Sequence, residues 1–390
     1  MQIATQTLLH LSLIEGVGPA TIFKILNYVR KGDLKNPLDF SSVEDFDFEK
    51  IYSLNENDFS LFRNLSQKQI NVIIEKLSDK SFLEKEINLI KENKISLHSI
   101  FDANYPASLK NIFLPPPILY TKGKPIEDKN LKLAIVGSRK AGKYAKNVTD
   151  YFAKELVSHG WEIVSGGATG VDTMAHKATL EAGGKTIVVF GCGLLWTYPA
   201  ENKNLFKEIT EKNGTLVSAF PLTMEPNLTT FPARNRIIAG LSNGTLLVQA
   251  AEKSGAKITA QFALEQGKTV FAAPGSIFDP LSTGCHQLIA QGAKIAWSVE
   301  SILEDFGFVI QKPKVNSLEK SKTPIAESKI KLNLSNESNK ILQNLTVATS
   351  IDELNAKTEI DFATLQNELF SLQLEGIVKQ NFAGYWELIK

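Results

Sequence analysis

The sequence has little cysteine, no long apolar run and almost no excess of charge. Its two cysteines, Cys192 and Cys285, have neither the spacing of a metal site nor that of a disulfide framework. No apolar stretch approaches the ~18 residues of a membrane helix, and residues 1–6 lack the basic segment of a signal peptide. We therefore expect a cytoplasmic protein with no metal, no disulfides and no membrane span.

Arginine is also scarce, at five of the 43 basic residues. Three of the five stand in two short motifs, V-G-S-R-K-A-G at 136–142 and F-P-A-R-N-R at 231–236. A lysine-rich chain that places arginine in such turns presents planar, multi-donor groups to an anion. The whole-chain net charge of +1 excludes no class of partner, but residues 131–300 carry +4 and residues 340–390 carry −3. The central region is therefore the expected surface for a polyanion.

The hydrophobic patterns divide the chain into four regions. Residues 1–100 are predicted to be a helical domain with a G-V-G-P turn at 16–19, which either binds a phosphate through its backbone N–H groups or only joins two helices. Residues 101–307 are predicted to be an extended Rossmann-like domain, beginning with a proline-rich edge strand or wrap at 101–130. Residues 308–336 read as a lysine-rich linker, either a solvated spacer or a binding arm, and residues 337–390 as a winged helix.

Seven apolar runs after residue 130 predict buried parallel strands, and seven helical patterns alternate with them. The strands are expected at 133–136, 162–164, 186–190, 216–218, 245–248, 269–272 and 294–296. The helices are expected at about 143–158, 171–182, 201–212, 232–241, 257–266, 284–291 and 299–306. The predicted fold class is α/β, a doubly wound Rossmann-like core with a helical N-terminal domain and a C-terminal winged helix.

The first glycine-rich turn, G-S-R-K-A-G-K-Y at 137–144, resembles a nucleotide-binding P-loop but has Tyr144 where Mg²⁺ binding requires Ser or Thr. Nucleotide hydrolysis is therefore not expected. Gly137 and Ser138 would bring the backbone close to an anion, and Arg139 and Lys140 would add positive charge. The alternative is a plain strand–helix turn.

A second glycine-rich turn follows the next predicted strand, and its candidate binding residues are Gly166, Gly167, Thr169 and Gly170. Three glycines in five residues remove Cβ atoms along the path of a ligand. Asp172 either caps the following helix or acts in catalysis, with capping favoured. His176, one turn later on the helix, is expected to be structural.

The F-P-A-R-N-R motif places two cations in the first turn of a helix, where they oppose the helix dipole. Such a placement needs a counter-anion. Either a phosphodiester backbone meets Arg234, Asn235 and Arg236 while Phe231 stacks on a base, or the arginines pair with carboxylates inside the domain. Two further candidate cations, Lys253 and Lys257, flank the start of the next helix.

These motifs together resemble the DNA-processing protein A family (DprA, also called Smf). The resemblance runs from Tyr105-Pro106 and the P-P-I-L-Y-T-K-G stretch at 116–123 to about residue 300, through 134–139, 166–176, 231–240 and 254–260. It implies a bacterial protein of natural transformation that binds and protects incoming single-stranded DNA, dimerises through its Rossmann domain and loads the RecA recombinase, without a cofactor. By the same resemblance Arg139 and 234–236 would hold phosphates and Phe231 would contact a base. Thr169 stands where the family often has Arg or Lys, which implies weaker binding by the second turn.

The alternative class is a Rossmann-fold nucleotide-binding enzyme similar to the phosphoribohydrolases. Those enzymes use a P-G-G-x-G-T-x-x-E turn, and the comparable stretch here, Q-A-A-E-K-S-G-A-K at 249–257, lacks the Gly-Thr pair and the catalytic Glu after it. Without that carboxylate the sequence shows no evident general acid or nucleophile. We therefore expect a binding protein rather than an enzyme. A nucleotide-binding regulator is a second alternative.

Overall fold

The computed structural model describes residues 2–31, 42–62, 65–308, 335–345, 349–380 and 385–388. The chain divides into two compact units, Met1–Gln311 and Lys312–Lys390. The predicted linker at 308–336 lies outside the described residues except at its two ends. The two units are described separately.

The N-terminal part of the first unit is helical, as predicted. Pro19 occupies the first turn of its helix, where a missing N–H costs nothing. Asn55 with Asp58, and Ser66 with Gln69, form capping boxes at the starts of two others. The helices are α1 (Ile3–Ser12), α2 (Pro19–Tyr28), α3 (Glu56–Ser60), α4 (Gln67–Ser78) and α5 (Ser81–Glu92), with 3₁₀ turns at Val43–Asp45 and Lys50–Ser53.

These helices share one hydrophobic core with the sheet that follows. Leu8 and Ile22 belong to the same buried cluster as Val136 and Val189. Residues 1–100 and 101–307, predicted as separate domains, therefore lie in one compact unit.

Nine strands form a single sheet in the order β1-β2-β6-β5-β4-β3-β7-β8-β9. They are β1 (Ser96–Ser99), β2 (Ile118–Gly123), β3 (Lys132–Val136), β4 (Glu162–Ser165), β5 (Thr186–Val189), β6 (Thr215–Ser218), β7 (Gly244–Leu247), β8 (Thr269–Ala272) and β9 (Lys294–Ile295). Strands β3 to β9 pair in parallel and are the seven predicted strands, whereas β1 and β2 run antiparallel. The proline-rich stretch does not supply an edge strand, because β2 pairs with both β1 and β6.

Helices cover both faces of this sheet. Leu133 and Ile135 pack with Phe152 in one buried cluster, while Ala134 and Val136 belong to the cluster on the opposite face. The predicted doubly wound α/β fold is therefore confirmed. The helices are α6 (Ala107–Lys110), α7 (Lys143–Ser158), α8 (Val171–Glu181), α9 (Lys203–Glu211), α10 (Thr230–Leu241), α11 (Gly255–Glu265), α12 (Thr283–Ala290) and α13 (Glu300–Leu303), with 3₁₀ turns at Ala200–Asn202 and Glu304–Phe306.

The strand order reverses at β3, which lies between β4 and β7. In doubly wound sheets the loops on either side of such a point diverge and leave a crevice at the carboxyl ends of the strands. Both predicted glycine-rich turns leave the sheet at this edge, one after β3 and one after β4.

The second unit contains three helices followed by a two-stranded antiparallel ladder. They are α14 (Asn336–Asn344), α15 (Ile351–Thr358), α16 (Phe362–Leu374), β10 (Val378–Gln380) and β11 (Trp386–Leu388). Leu365, Leu369 and Leu372 of α16 are buried, whereas Phe362, the first residue of the same helix, is 49% exposed. Residues 381–384, between β10 and β11, lie outside the described residues, and the winged-helix assignment remains a prediction.

Among the described residues no helix is long and apolar enough to cross a membrane. The same part of the chain contains no group of three or more His, Cys, Asp or Glu side chains placed to hold a metal ion. Cys192 and Cys285 are both free and buried.

Candidate functional site

Five chain segments meet at the crevice beside β3 and line a cleft of about 430 Å³. They are the loop after β3, the loop after β4, the start of α10, the segment joining β7 to α11, and the loop between β8 and α12, which contributes Leu281. The predicted residues among those lining the cleft are Gly137, Ser138, Arg139, Lys140, Phe231, Arg234, Asn235 and Lys253. The other six, Gly166, Gly167, Thr169, Gly170, Arg236 and Lys257, lie outside that lining. Segments far apart in sequence therefore form one site.

The loop after β3 is fixed by backbone hydrogen bonds and presents cations. The N–H of Ser138 donates to the carbonyl oxygen of Gln249 at 2.7 Å, which attaches the loop to the segment after β7. The buried Ser138 hydroxyl accepts from the N–H of Lys140 at 3.1 Å. Because this turn is closed internally, the side chains of Arg139 and Lys140 point away from the core and are exposed.

The loop after β4 packs closely against the first loop. Gly170 has a φ of +81°, and a Cβ there would overlap the carbonyl oxygen of Ser138. Asp172 was expected to cap α8, but the helix is preceded by Gly170 as its N-cap. The Asp172 carboxylate instead accepts from the N–H groups of Gly166 and Ala168 at 3.2 and 3.3 Å. It therefore holds the preceding loop in shape.

Arg234 is buried beneath the cleft, only 5% exposed. Its Nη1 donates to the carbonyl oxygens of Gly166 and, at 2.6 Å, of Val189. Burial lowers the pKa of this guanidinium, while the nearby charge of Asp172 acts in the opposite direction. Burial likewise raises the pKa of Asp172, and the charge of Arg234 opposes that rise. Arg234 was expected to meet a phosphate, but its Nη1 donates to two carbonyl oxygens and its Nε donates to Oδ1 of Asn235 at 3.1 Å, an arrangement closer to the internal alternative.

Gly166 is explained by the same arginine. A Cβ on Gly166 would overlap the Arg234 guanidinium, so only glycine lets the loop approach it. The glycine predicted to leave room for a ligand therefore leaves room for a buried side chain.

Arg236 and Lys257 also point elsewhere. Arg236 donates to the carbonyl oxygens of Phe113 and Leu114 and lines a second, largely apolar cavity. Lys257 donates to the carbonyl oxygen of Glu252 at 3.1 Å and to Oε1 of Gln287 at 2.6 Å. Both cations are thus engaged by protein oxygens.

Phe231 is a partly buried ring in the cleft wall, with two guanidinium groups close to it. The central guanidinium carbons of Arg139 and Arg234 lie 5.8 and 5.9 Å from the ring centroid. The ring of Tyr198, which follows β5, lies 5.6 Å away at an interplanar angle of 35°. Proteins that bind single-stranded nucleic acids use an aromatic ring beside an exposed cation: a base stacks on the ring, and the cation contacts a phosphate.

Tyr198 was missed by the sequence reasoning. It is 43% exposed and lies near the equally exposed Trp196, in the L-L-W-T-Y stretch after the Gly-Cys-Gly turn of β5. Two large aromatics in the loop that follows the carboxyl end of a strand were the available signal.

Asp172 and His176, both on α8, are buried titratable groups. Among the described residues that line the cleft, Asp172 is the one carboxylate, and it is buried and hydrogen-bonded to the backbone. His176 is fully buried, with Nδ1 2.7 Å from the Thr186 hydroxyl, and burial lowers its pKa to about 3. Neither group is placed as an exposed general acid or base.

The fold and the cleft together define a Rossmann-like α/β protein with cations and an aromatic ring at its topological switch point. The family model described as DNA recombination-mediator protein A matches residues 96–307. The chain belongs to this family.

Curated relatives and solved structures with DNA-processing names are similar to this chain. The chain is 44% identical over 224 residues to DNA processing protein DprA of Bacillus subtilis, covering 57% of this chain and 75% of that protein. For DprA of Streptococcus pneumoniae the values are 43% over 236 residues, 59% and 81%. The X-ray structure of the S. pneumoniae protein has a TM-score of 0.65 and 35% identity, covering 79% of this chain and 99% of that one. A Helicobacter pylori structure, described as concerning the single-stranded DNA binding mode of DNA processing protein A, has a TM-score of 0.50 and 32% identity, covering 55% and 95%.

Proposed function

We propose that the chain binds single-stranded DNA in the cleft beside β3, without catalysing a reaction on it. The observation that carries the proposal is the pairing of the exposed Arg139 with the Phe231 ring in the cleft wall. Lys140 and Lys253 add exposed positive charge to the same lining. Phosphates would meet the cations, and one base would stack on Phe231, beside which Tyr198 supplies a second ring.

The same arrangement favours a single strand over a duplex. Stacking on Phe231 requires an exposed base face, and a duplex buries the faces of its bases against one another. Backbone contacts and stacking tolerate any base, so little sequence preference is expected. The H. pylori relative, whose structure concerns binding of single-stranded DNA, supports this direction.

We reduce the set of candidate binding residues according to their burial and contacts. We assign the phosphate contacts to residues of the lining, namely Gly137, Ser138, Arg139, Lys140, Lys253 and Asn235, whose Nδ2 also donates to the carbonyl oxygen of Gly255 at 3.3 Å. Thr169 is exposed on the second glycine turn and carries no charge, so that turn contributes less. Arg234 is left out because it is buried and donates through Nη1 to carbonyl oxygens, and Arg236 and Lys257 are left out because they lie outside the cleft lining.

The biological role is proposed from family membership. We infer that the chain acts in the cytoplasm during natural transformation, forms a homodimer through its Rossmann-like unit, protects incoming strands and loads RecA on them. Support for this part comes from the similarity to proteins named for DNA processing.

A titration of fluorescent oligo-dT at two salt concentrations tests the binding proposal. We expect affinity to fall steeply with salt, because each neutralised phosphate releases counterions, and a matched duplex to compete poorly. Equal affinity for single strand and duplex would contradict it. Hydrolysis of nucleoside monophosphates by the same preparation would favour the phosphoribohydrolase-like alternative. Faster RecA assembly on coated strands tests the loading role.

A further inference from the structure

The loop between β8 and α12 exposes two large apolar side chains at its tip. Ile277 is 80% exposed and Phe278 is 89% exposed. The loop leaves the carboxyl end of β8, the edge of the sheet at which the cleft lies. Two adjacent apolar side chains that bury almost no surface on folding, at this edge of the sheet, indicate a contact outside the unit.

The loop is held in place by hydrogen bonds on both sides of its tip. The hydroxyl of Tyr144 donates to the carbonyl oxygen of Pro274. On the other side, Nε2 of Gln249 donates to Asp279 at 2.7 Å, and the N–H of Ala250 donates to the carbonyl oxygen of Leu281 at 2.7 Å. The exposure of Phe278 therefore belongs to an anchored loop.

The anchors also connect the loop to the cleft. Leu281 lines the cleft, and Gln249, which binds Asp279, accepts through its carbonyl oxygen from the N–H of Ser138. The loop that carries Phe278 and the loop that carries Arg139 are thus attached to the same residue.

Lysine side chains lie in the segment that connects the cleft to this loop. Tyr144, which binds Pro274, belongs to the first turn of α7, immediately after Lys143. Lys143 and Lys140 are both exposed, and both precede Tyr144 by no more than four residues. Cations in the segment that is hydrogen-bonded to the base of this loop fit a nucleic-acid strand better than the apolar face of a protein partner.

We propose that Phe278 stacks on a second base, of the strand that leaves the cleft, so that single-stranded DNA runs from Phe231 across the carboxyl ends of β3 and β7 to the β8–α12 loop. This inference rests on the proposed function. Lys140 and Lys143 contact the phosphates between the two stacked bases. Stacking requires an aromatic side chain but accepts any base, so no sequence preference is expected at the second position.

The test measures affinity against oligonucleotide length for the full chain. Oligo-dT ligands of about 4 to about 16 nucleotides span the usual site sizes of single-strand binding surfaces. Phe278→Leu keeps apolar bulk but removes the aromatic face, whereas Phe278→Tyr keeps the face. We expect Phe278→Leu to match wild type on the shortest ligands and to bind the longest about 5- to 50-fold more weakly, with Phe278→Tyr close to wild type throughout. Phe370→Ala, which removes a 59% exposed phenylalanine in the second unit, is the matched control.

The outcomes separate this inference from the function on which it rests. If wild type binds and Phe231→Ala weakens binding at every length, while Phe278→Leu stays within about twofold of wild type, the second position is overturned and the cleft stands. If Phe278→Leu instead changes the oligomeric state by light scattering without changing affinity at any length, the loop contacts a second copy of the chain. If wild type binds no oligonucleotide, the proposed function itself fails.

Discussion

The guanidinium of Arg139 lies 5.8 Å from the centroid of the Phe231 ring, although the two residues are 92 positions apart in the sequence. Arg139 comes from the loop after β3 and Phe231 from the first turn of α10. The ring also faces Tyr198 and approaches Gly191, where a Cβ would overlap it. One cation and one ring are therefore positioned together, by elements packed on either side of the switch point.

Arg139→Ala should weaken binding of single-stranded DNA by about 1–3 kcal/mol, because it removes charge-assisted hydrogen bonds to phosphate. The exposed side chain supports no buried group, so the free energy of unfolding should stay within about 0.5 kcal/mol of wild type. Oligo-dT titration and urea unfolding measure the two quantities. Arg139→Lys is the matched variant, and we expect it to recover only part of the affinity because an ammonium cannot bind phosphate as a planar fork. An Arg139→Ala protein that is folded and binds like wild type would remove this residue from the interface.

Phe231→Ala should weaken binding by about 1–3 kcal/mol, the usual contribution of one stacked base. The effect should be less sensitive to salt than that of Arg139→Ala, since stacking releases no counterions. Phe231→Tyr keeps the ring and should bind like wild type. The slope of log affinity against log salt, measured for all three variants, distinguishes the two contributions, and identical slopes and affinities would argue against stacking.

How far the sequence predicts this molecule differs between fold and site. The seven parallel strands were predicted nearly to the residue, because strands covered on both faces read as short apolar runs between turns. The sequence pattern could not distinguish an exposed arginine from a buried one. Arg139 and Arg234 stand in similarly glycine- or phenylalanine-flanked motifs, but the burial of Arg234 depends on Asp172 and on carbonyl oxygens from β5 and the loop after β4. Those partners lie 45 to 68 positions away in sequence, so local pattern cannot reveal them.

Arg234→Ala should destabilise the protein by about 3–5 kcal/mol, the range for removing one member of a buried charged network. The variant leaves the carbonyl oxygens of Gly166 and Val189 without their donor and leaves the buried Asp172 without a nearby positive charge. Urea unfolding measures the loss, with Arg139→Ala as the exposed arginine control. If Arg234→Ala were as stable as wild type but failed to bind DNA, the arginine would be a ligand of DNA and not a structural group.

His176 should make the protein less stable in mild acid. Burial lowers its pKa from 6.5 to about 3, and the charge of Arg234 acts in the same direction. Between these two pKa values His176 is protonated in the unfolded chain but not in the folded chain, so lowering the pH favours unfolding. The contribution approaches about 1.4 kcal/mol per pH unit below pH 6. Urea unfolding at pH 7 to 4.5 should show a flatter pH dependence for His176→Gln, whereas the exposed control His159→Gln should keep the wild-type slope. Equal slopes in all three proteins would mean that His176 is protonated in the folded state.

The second unit should contribute little to DNA affinity. Residues 340–390 carry a net charge of −3, and α16, the candidate recognition helix, contains no Lys or Arg. Its preceding residue Asp361 caps the helix, and Glu368 accepts a hydrogen bond from the Ser335 hydroxyl at 2.9 Å. Carboxylates on and beside that helix repel phosphates, and within a Debye length of about 10 Å the repulsion is not screened. We therefore interpret this unit as a protein-contact or regulatory module.

Truncation after Phe308 tests that interpretation. A chain of residues 1–308 should bind oligo-dT within about twofold of the full chain, a difference of only about 0.4 kcal/mol. The buried core of the first unit, which includes residues from α1 to α13, remains complete in this fragment. A melting curve like that of the full chain's first transition confirms folding. A tenfold loss of affinity in a folded fragment would show that the acidic unit, despite its charge, contacts the DNA; unchanged affinity with impaired RecA loading would place its function in protein contact.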